Sequence, residues 1–336
     1  MKYRKFGNTQ WDISEIGFGG WQIGGGGAFG QVDDRDSVKT LLAAWDRGIN
    51  LVDTAQMYGK GHSEEVIGMA LKQWHHNHIY IASKVQPVQW PHPNEIDPTM
   101  TGRYPKAHIR KQCEDSLTRL GVDTIDLYQL HGWFPQGMED REWHEALTEL
   151  QKEGKIREFG VSIRDYRPQD GIALAEAGLI QAQQVVYNIF EQRPAEALLP
   201  ACKKNGVAVL ARVPFDEGSL IGNWVPETYA TFAPGDVRLT YFKGERFLRT
   251  LEKVDAIKRM IREYDATMTL AEVALRFCLS DEAVSCVIPG MRSVQEVELN
   301  LKVSDGNVLP KELLEQLKPF NWPRNYHNPD TVVDPL

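Results

Sequence analysis

No segment of this sequence runs apolar for the ~20 residues that a membrane-crossing helix needs. The opening Met1-Lys2-Tyr3-Arg4-Lys5-Phe6-Gly7 lacks the apolar stretch of a secretory leader, so a cytoplasmic protein is expected. Cysteine is scarce: Cys113, Cys202, Cys278 and Cys286 stand far apart, without C-x-x-C spacing. That pattern offers no disulfide framework, and thiols buried in a reducing compartment are the expectation. Acidic residues outnumber basic ones, and the net charge of −8 argues against a nucleic-acid partner while leaving room for one local anion pocket. No Pro-, Gly- or Ser-rich linker divides the chain, so residues 1–336 read as a single domain. What is present is soluble globular composition, 42% hydrophobic and 25% charged.

The order along the chain is regular. Lys2 to Ile13 reads as a β-hairpin turning at Asn8-Thr9. Strand-like runs follow at 16–19, 49–53, 79–84, 125–131, 159–162, 182–187, 207–212 and 284–288. Amphipathic stretches near 36–47, 63–74, 106–120, 140–152, 168–177, 195–204, 247–264 and 269–280 alternate with them. Two more helical stretches, 292–301 and 310–318, come after the last run, then a tail with Trp322, Pro323 and Tyr326. Pro105 suits a helix start, Ser63-Glu64-Glu65 a capped one, and Gly48, Gly121, Gly154 and Gly206 suit left-handed caps. Eight strands, nearly all followed by a helix, predict an α/β fold, a (β/α)8 TIM barrel with an N-terminal hairpin. The segments 85–104 and 213–246 are too long for plain turns and leave strands at the end where barrels build pockets.

Three successive runs deliver polar residues to that rim: Asp53, Lys84 and His131, with Tyr58 on the turn after the first. A phenol beside a lysine and an aspartate, with a histidine opposite, makes a usable general acid. Singly, Asp53 or His131 would read as a satisfied core residue; together they predict an enzyme. Gly25-Gly26-Gly27-Ala28-Phe29-Gly30 satisfies G-x-G-x-x-G, with Asp53 at the end of the next strand. A phosphate cradle needs helix amides inside the motif, and helix formation here is predicted to begin near Asp34 or Asp36. A glycine loop on the rim is the better reading. The His75-His76-Asn77-His78 cluster reads as a solvated turn, because no carboxylate or cysteine completes a metal site.

Several segments together resemble the aldo-keto reductases across nearly the whole chain. They are Gly48-Ile49-Asn50-Leu51-Val52-Asp53-Thr54-Ala55, Tyr58-Gly59, Ala82-Ser83-Lys84, Ser116-Leu117-Thr118-Arg119-Leu120, Asp126-Leu127-Tyr128-Gln129-Leu130-His131 and Lys152-Glu153-Gly154-Lys155-Ile156-Arg157. Phe242-Lys243-Gly244-Glu245-Arg246-Phe247 is similar to the bacterial inositol-operon and general-stress branch. The resemblance implies a catalytic tetrad of Asp53, Tyr58, Lys84 and His131, with no metal. The Lys84 ammonium is expected to lower the Tyr58 pKa from its free value near ~10. Tyr58 would then give a proton to a carbonyl oxygen while nicotinamide gives hydride.

The resemblance also implies how the cofactor is held. Gly290, Arg292, Glu296 and Asn300, after the last strand, match the adenosine side. Arg292 is the expected 2′-phosphate ligand, with NADPH (NADP+) as cofactor. The family often has glutamine where Glu296 stands, so some NADH use is expected. Ser162 and Gln184 match carboxamide partners, whereas Ile163 replaces the usual asparagine. Arg212 stands where an aromatic normally stacks under nicotinamide, and Trp21, Val213, Phe215, Glu217 and Gly218 complete the expected contacts. A cationic Arg212 should favour NADPH over NADP+ unless Asp216 or Glu217 neutralises it.

Trp21, Trp90 and Trp133 are the candidate walls of a substrate cup, with Trp90 read equally as a loop anchor. The expected activity is reduction of an aldehyde, ketone or keto-sugar; the alternative is a catalytically weak, NADP(H)-binding regulatory or scaffold barrel. The natural substrate and the oligomeric state are not legible in the sequence.

Overall fold

The hairpin forms as expected: β1 (Tyr3–Lys5) pairs antiparallel with β2 (Asp12–Ser14), Tyr3 opposite Ser14. The structure is a computed structural model that describes residues 1–92, 95 and 98–324; Tyr326 of the tail lies outside them. The later runs become β3 (Phe18–Gly19), β4 (Leu51–Asp53), β5 (Tyr80–Val85), β6 (Ile125–Leu130), β7 (Ile156–Ser162), β8 (Ala182–Val186), β9 (Ala208–Arg212) and β10 (Val284–Val287). They lie in chain order in one eight-stranded sheet, each paired parallel with the next. Parallel bridges Ile16↔Val287 and Gly19↔Gly290 join its two edges. Gly19 is required there, because a Cβ would sit 2.8 Å from the Ile288 carbonyl oxygen.

Helices α1 (Asp34–Asp46), α2 (His62–Leu71), α3 (Lys106–Leu120), α4 (Glu142–Lys152), α5 (Ile172–Glu176) and α6 (Leu198–Asn205) alternate with the strands. After β9 come α7 (Arg238–Tyr241), α8 (Glu245–Tyr264) and α9 (Leu270–Leu279); α10 (Val294–Leu301) and α11 (Lys311–Leu317) follow β10. The fold is a (β/α)8 barrel. The helical stretches expected at 168–177 and 195–204 are shorter, each beginning with a 3-10 turn that contains proline, Pro168–Gly171 and Arg193–Glu196. Ser63 is not a cap: it lies inside the first turn of α2, donating to the Gly20 carbonyl and accepting from the Thr54 hydroxyl. Helix α1 does begin at Asp34, and the Asp33 carboxylate accepts from the Arg35 and Asp36 amides.

Two-residue periodicity sorts the side chains. Leu51, Ala82, Leu127, Ala182 and Leu210 fill the barrel with Phe6 and Ile13 of the hairpin. Val52, Val85, Tyr128, Leu130 and Val185 pack outward with the helices. The next inward positions toward the mouth are therefore Asp53, Lys84, Gln129, Gln184 and Arg212. All four cysteines are buried and free, and burial pushes the Cys113 and Cys202 thiols up to about 12. Among the described residues no helix is long and apolar enough to cross a membrane.

Candidate active site

Lys84 is the centre of the site. Its side chain is wholly buried, and its three ammonium protons have three acceptors: Asp53 Oδ1 at 2.6 Å, the Thr54 carbonyl at 2.8 Å and the Tyr58 hydroxyl at 3.2 Å. The second Asp53 oxygen accepts from Gln184 Nε2 at 2.7 Å. Burial alone would lower the Lys84 pKa, but Asp53 and Tyr58 outweigh it and hold the ammonium above its usual value.

Tyr58 reaches the lysine from the turn after β4. Gly59 (φ 61°) makes that turn possible, because a Cβ there would lie 1.7 Å from the Gly24 carbonyl oxygen. The expected fall in the Tyr58 pKa is overturned. Burial raises it, and the opposing pull of Lys84 does not make up the difference, so the phenol stays above the ordinary tyrosine range. Trp21 stacks beside Tyr58 at 5.8 Å, and Phe29 meets Trp21 edge-on at 4.9 Å.

His131 lies one residue past β6, its ring edge-on to Tyr58 at 5.8 Å. Burial, with Lys84 and Arg212 nearby, holds its pKa well below the usual value, so the imidazole is neutral at neutral pH. Trp90 stands on the other side of His131 at 6.0 Å and is 40% exposed. Trp133 does not join the cup. It is fully enclosed, donates its indole N–H to the Asp170 carbonyl at 2.9 Å and packs against Trp143. The turn at Gly132 (φ 140°) sends it toward the helices.

Arg212 ends β9. It is neutralised not by Asp216 or Glu217 but by Asp165, which follows β7; its Nη2 also donates to the Ile163 carbonyl at 3.0 Å. Ile163 itself is buried in the core. Asp216 pairs with Arg324 instead, and Ser219 Oγ donates to its other oxygen at 2.6 Å. Glu217 stays within the same rim cavity as Arg212, and burial, with Asp216 and Asp165 near, pushes its pKa up to about 8. Val213, Asp216 and Glu217 have φ of 56°, 48° and 57°, and Gly218 has 108°. Such non-glycine conformations cost roughly 1–3 kcal/mol each. The rest of the long segment forms its own aromatic cluster, with Phe242 and Phe247 packed around Trp224.

On the far side, Arg292 donates to the Phe29 carbonyl at 2.9 Å and the Gln31 carbonyl at 2.7 Å, tying down the glycine loop. The Arg292 amide donates to Glu296 at 2.6 Å, and Ser293 caps α10 by accepting from the Glu296 amide. Asn300 is buried on α10, and Gly290 faces the Gln22 amide. A cleft of about 420 Å³ lies between Phe29, Trp224, Asp236, Arg238 and Arg292. Ser162 closes β7 in the barrel mouth, and Phe215 lies between the left-handed Val213 and Asp216. His78 of the histidine cluster bonds Asp126 at 2.8 Å, and no metal-binding group of three or more His, Cys, Asp or Glu is found among the described residues.

Sequence reasoning missed Asp165 and Arg324. Asp165, three residues beyond Ser162 at a strand end, carried a readable signal; Arg324, in an aperiodic tail, carried none.

A (β/α)8 barrel with this buried lysine–carboxylate–phenol cluster at its C-terminal mouth has the build of a barrel oxidoreductase. The model of the Aldo/keto reductase family matches residues 15–321. The NADH-specific methylglyoxal reductase of Escherichia coli (strain K12) is 30% identical over 341 residues, covering 95% of this chain and 100% of that protein. The solved glycerol dehydrogenase AKR11B4 from Gluconobacter oxydans aligns at a TM-score of 0.77 and 29% identity, over 100% of this chain and 97% of that one. The holo form of aldo-keto reductase AKR11C1 from Bacillus halodurans gives 0.74 and 28%, over 98% and 99%. The chain belongs to the aldo/keto reductase family and is an oxidoreductase of that class.

Proposed function

We propose that this protein reduces an aldehyde, ketone or keto-sugar to its alcohol, reversibly, with NADPH as cofactor and NADH accepted as well. The observation that carries the reading is the saturated Lys84 ammonium, shared by Asp53, the Thr54 carbonyl and the Tyr58 hydroxyl. The cofactor reading rests on orphaned polarity as well: Gln184 Oε1 is buried without a hydrogen-bond partner, a ready acceptor for a carboxamide N–H. Ser162 would join Gln184, and Trp21 with Arg212 would flank the ring. Val213, Phe215, Glu217 and Gly218 would line the diphosphate, and Gly290, Arg292, Glu296 and Asn300 the adenosine. Reduced nicotinamide, when bound, supplies hydride to a carbonyl carbon.

The chain's own groups do the rest. Tyr58, with its pKa raised, is protonated throughout the neutral range. It donates to the carbonyl oxygen as that oxygen gains charge, because an alkoxide is a far stronger base than a phenolate. Lys84 then stabilises the phenolate, and Asp53 keeps Lys84 oriented. Neutral His131 donates its remaining N–H to the same oxygen and adds no competing charge. Trp21 and Trp90 form the apolar walls of the substrate cup.

The test is loss of NADPH or NADH absorbance against a panel of aldehydes, ketones, keto-sugars and methylglyoxal, with glycerol for the reverse direction. Turnover of at least one carbonyl class is expected. Binding of cofactor with no turnover of any would favour the regulatory or scaffold barrel, a reading to which the missing amide at Ile163 lends weight.

A further inference from the structure

The turn from Val213 to Gly218 holds four left-handed residues, three of them not glycine, so its shape must be imposed by its surroundings. Three contacts impose it. Asn188 Nδ2 donates to the Val213 carbonyl at 2.8 Å. Ser219 Oγ donates to Asp216 Oδ2 at 2.6 Å. Asp216 Oδ1 accepts from Arg324 Nη2, an ion pair with both side chains at most 3% exposed, between residues 108 apart in sequence.

Arg324 is itself held in place. Its guanidinium lies over the Phe190 ring at 4.9 Å and the Trp322 ring at 4.4 Å, and the Trp322 amide donates to the Phe190 carbonyl at 2.8 Å. The anchor shares one cavity with Arg212 at the barrel rim: Arg212, Val213, Asp216, Glu217, Trp322 and Arg324 line the same space. Arg212 in turn lies close enough to Tyr58 and His131 to influence both electrostatically.

We propose that Arg324 is a positioning residue: the segment 322–324 is a latch that holds the 213–218 turn in its cofactor-receiving shape through Asp216. The buried ion pair, and not contact with the reacting atoms, sets how long the dinucleotide stays bound. This rests on the nicotinamide-dependent reading above.

The test uses the full chain with Arg324→Met, which keeps most of the stem, and Arg324→Lys, which restores a charge. The double variant Asp216→Asn/Arg324→Met removes both charges and guards against a fold lost to an unpaired buried carboxylate. NADPH and NADH dissociation constants and release rates are read from tryptophan fluorescence, beside the single-turnover reduction rate at saturating cofactor. Arg324→Met and the double variant should weaken both cofactors about tenfold by the same factor and release them faster. Arg324→Lys should recover part of that loss, and single-turnover rates should stay within about threefold of wild type. Folded variants with both dissociation constants within twofold of wild type would overturn the latch, as would a loss confined to NADPH. Failure of the wild type to bind either dinucleotide would instead sink the reading beneath it.

Discussion

Replacing Lys84 with methionine should destabilise this protein more than almost any other single polar change. The side chains of Lys84 and Asp53 are 0% and 3% exposed, so water does not screen the pair. Removing one partner of such a pair leaves a buried charge behind and typically costs ~3–5 kcal/mol. Gln184 Nε2 still bonds Asp53 at 2.7 Å, which puts the expected loss near the lower end, about 3 kcal/mol. At about 2.1 cal/mol/K of unfolding entropy per residue, each kcal/mol moves the midpoint of a 336-residue chain by roughly 1.4 °C, so a fall of about 4 °C is expected by calorimetry. Turnover should fall as well, by roughly 10²-fold or more, because the Tyr58 hydroxyl loses its cationic neighbour. The double variant Asp53→Asn/Lys84→Met should melt higher than Lys84→Met, since the stranded carboxylate is gone. A Lys84→Met midpoint within about 1 °C of wild type, or a double variant that melts lower still, would refute the reasoning.

Glu296→Gln should shift selectivity toward NADPH over NADH by roughly tenfold, on the scale of ~1 kcal/mol per unit charge at ~4 Å in water. Paired dissociation constants check this, and an unchanged ratio would clear Glu296 of any role. Because Asp165 neutralises Arg212, Arg212→Tyr strands a carboxylate and should favour NADP+ relative to NADPH, whereas Asp165→Asn strands the guanidinium and should disfavour NADP+; paired dissociation constants that move neither way would contradict the pairing. Glu217, pushed up to about 8, binds its proton more tightly folded than unfolded. The stabilisation from that proton is complete below the ordinary carboxyl range and is lost as pH rises through about 8. Wild type should therefore lose stability relative to Glu217→Gln over that interval in thermal melts, and parallel pH curves would contradict the assignment.

The barrel was legible because strands announce themselves by apolar runs, and because period-two alternation carries Leu51 to Asp53 and Ala82 to Lys84 on the inward face. Directions after a strand ends were not legible. His131 turns to the mouth while Trp133, two residues on, turns into the helical layer through Gly132. Charge partners were misjudged for a related reason. Asp216 and Glu217 lie near Arg212 in sequence, but the barrel brings Asp165 to it from another strand, and the tail brings Arg324 to Asp216. The sign of the Lys84 effect on Tyr58 was right, yet burial outweighs it, and sequence gives no measure of burial at a single hydroxyl.

The most direct test of the account is single-turnover reduction of an accepted carbonyl by wild type and Tyr58→Phe, each loaded with reduced cofactor. The substitution removes one oxygen and leaves the ring between Trp21 and His131. The account predicts cofactor affinity within about twofold of wild type and a reduction rate lower by ~10²–10⁴-fold. Reduction at the parental rate would show that the proton comes from elsewhere.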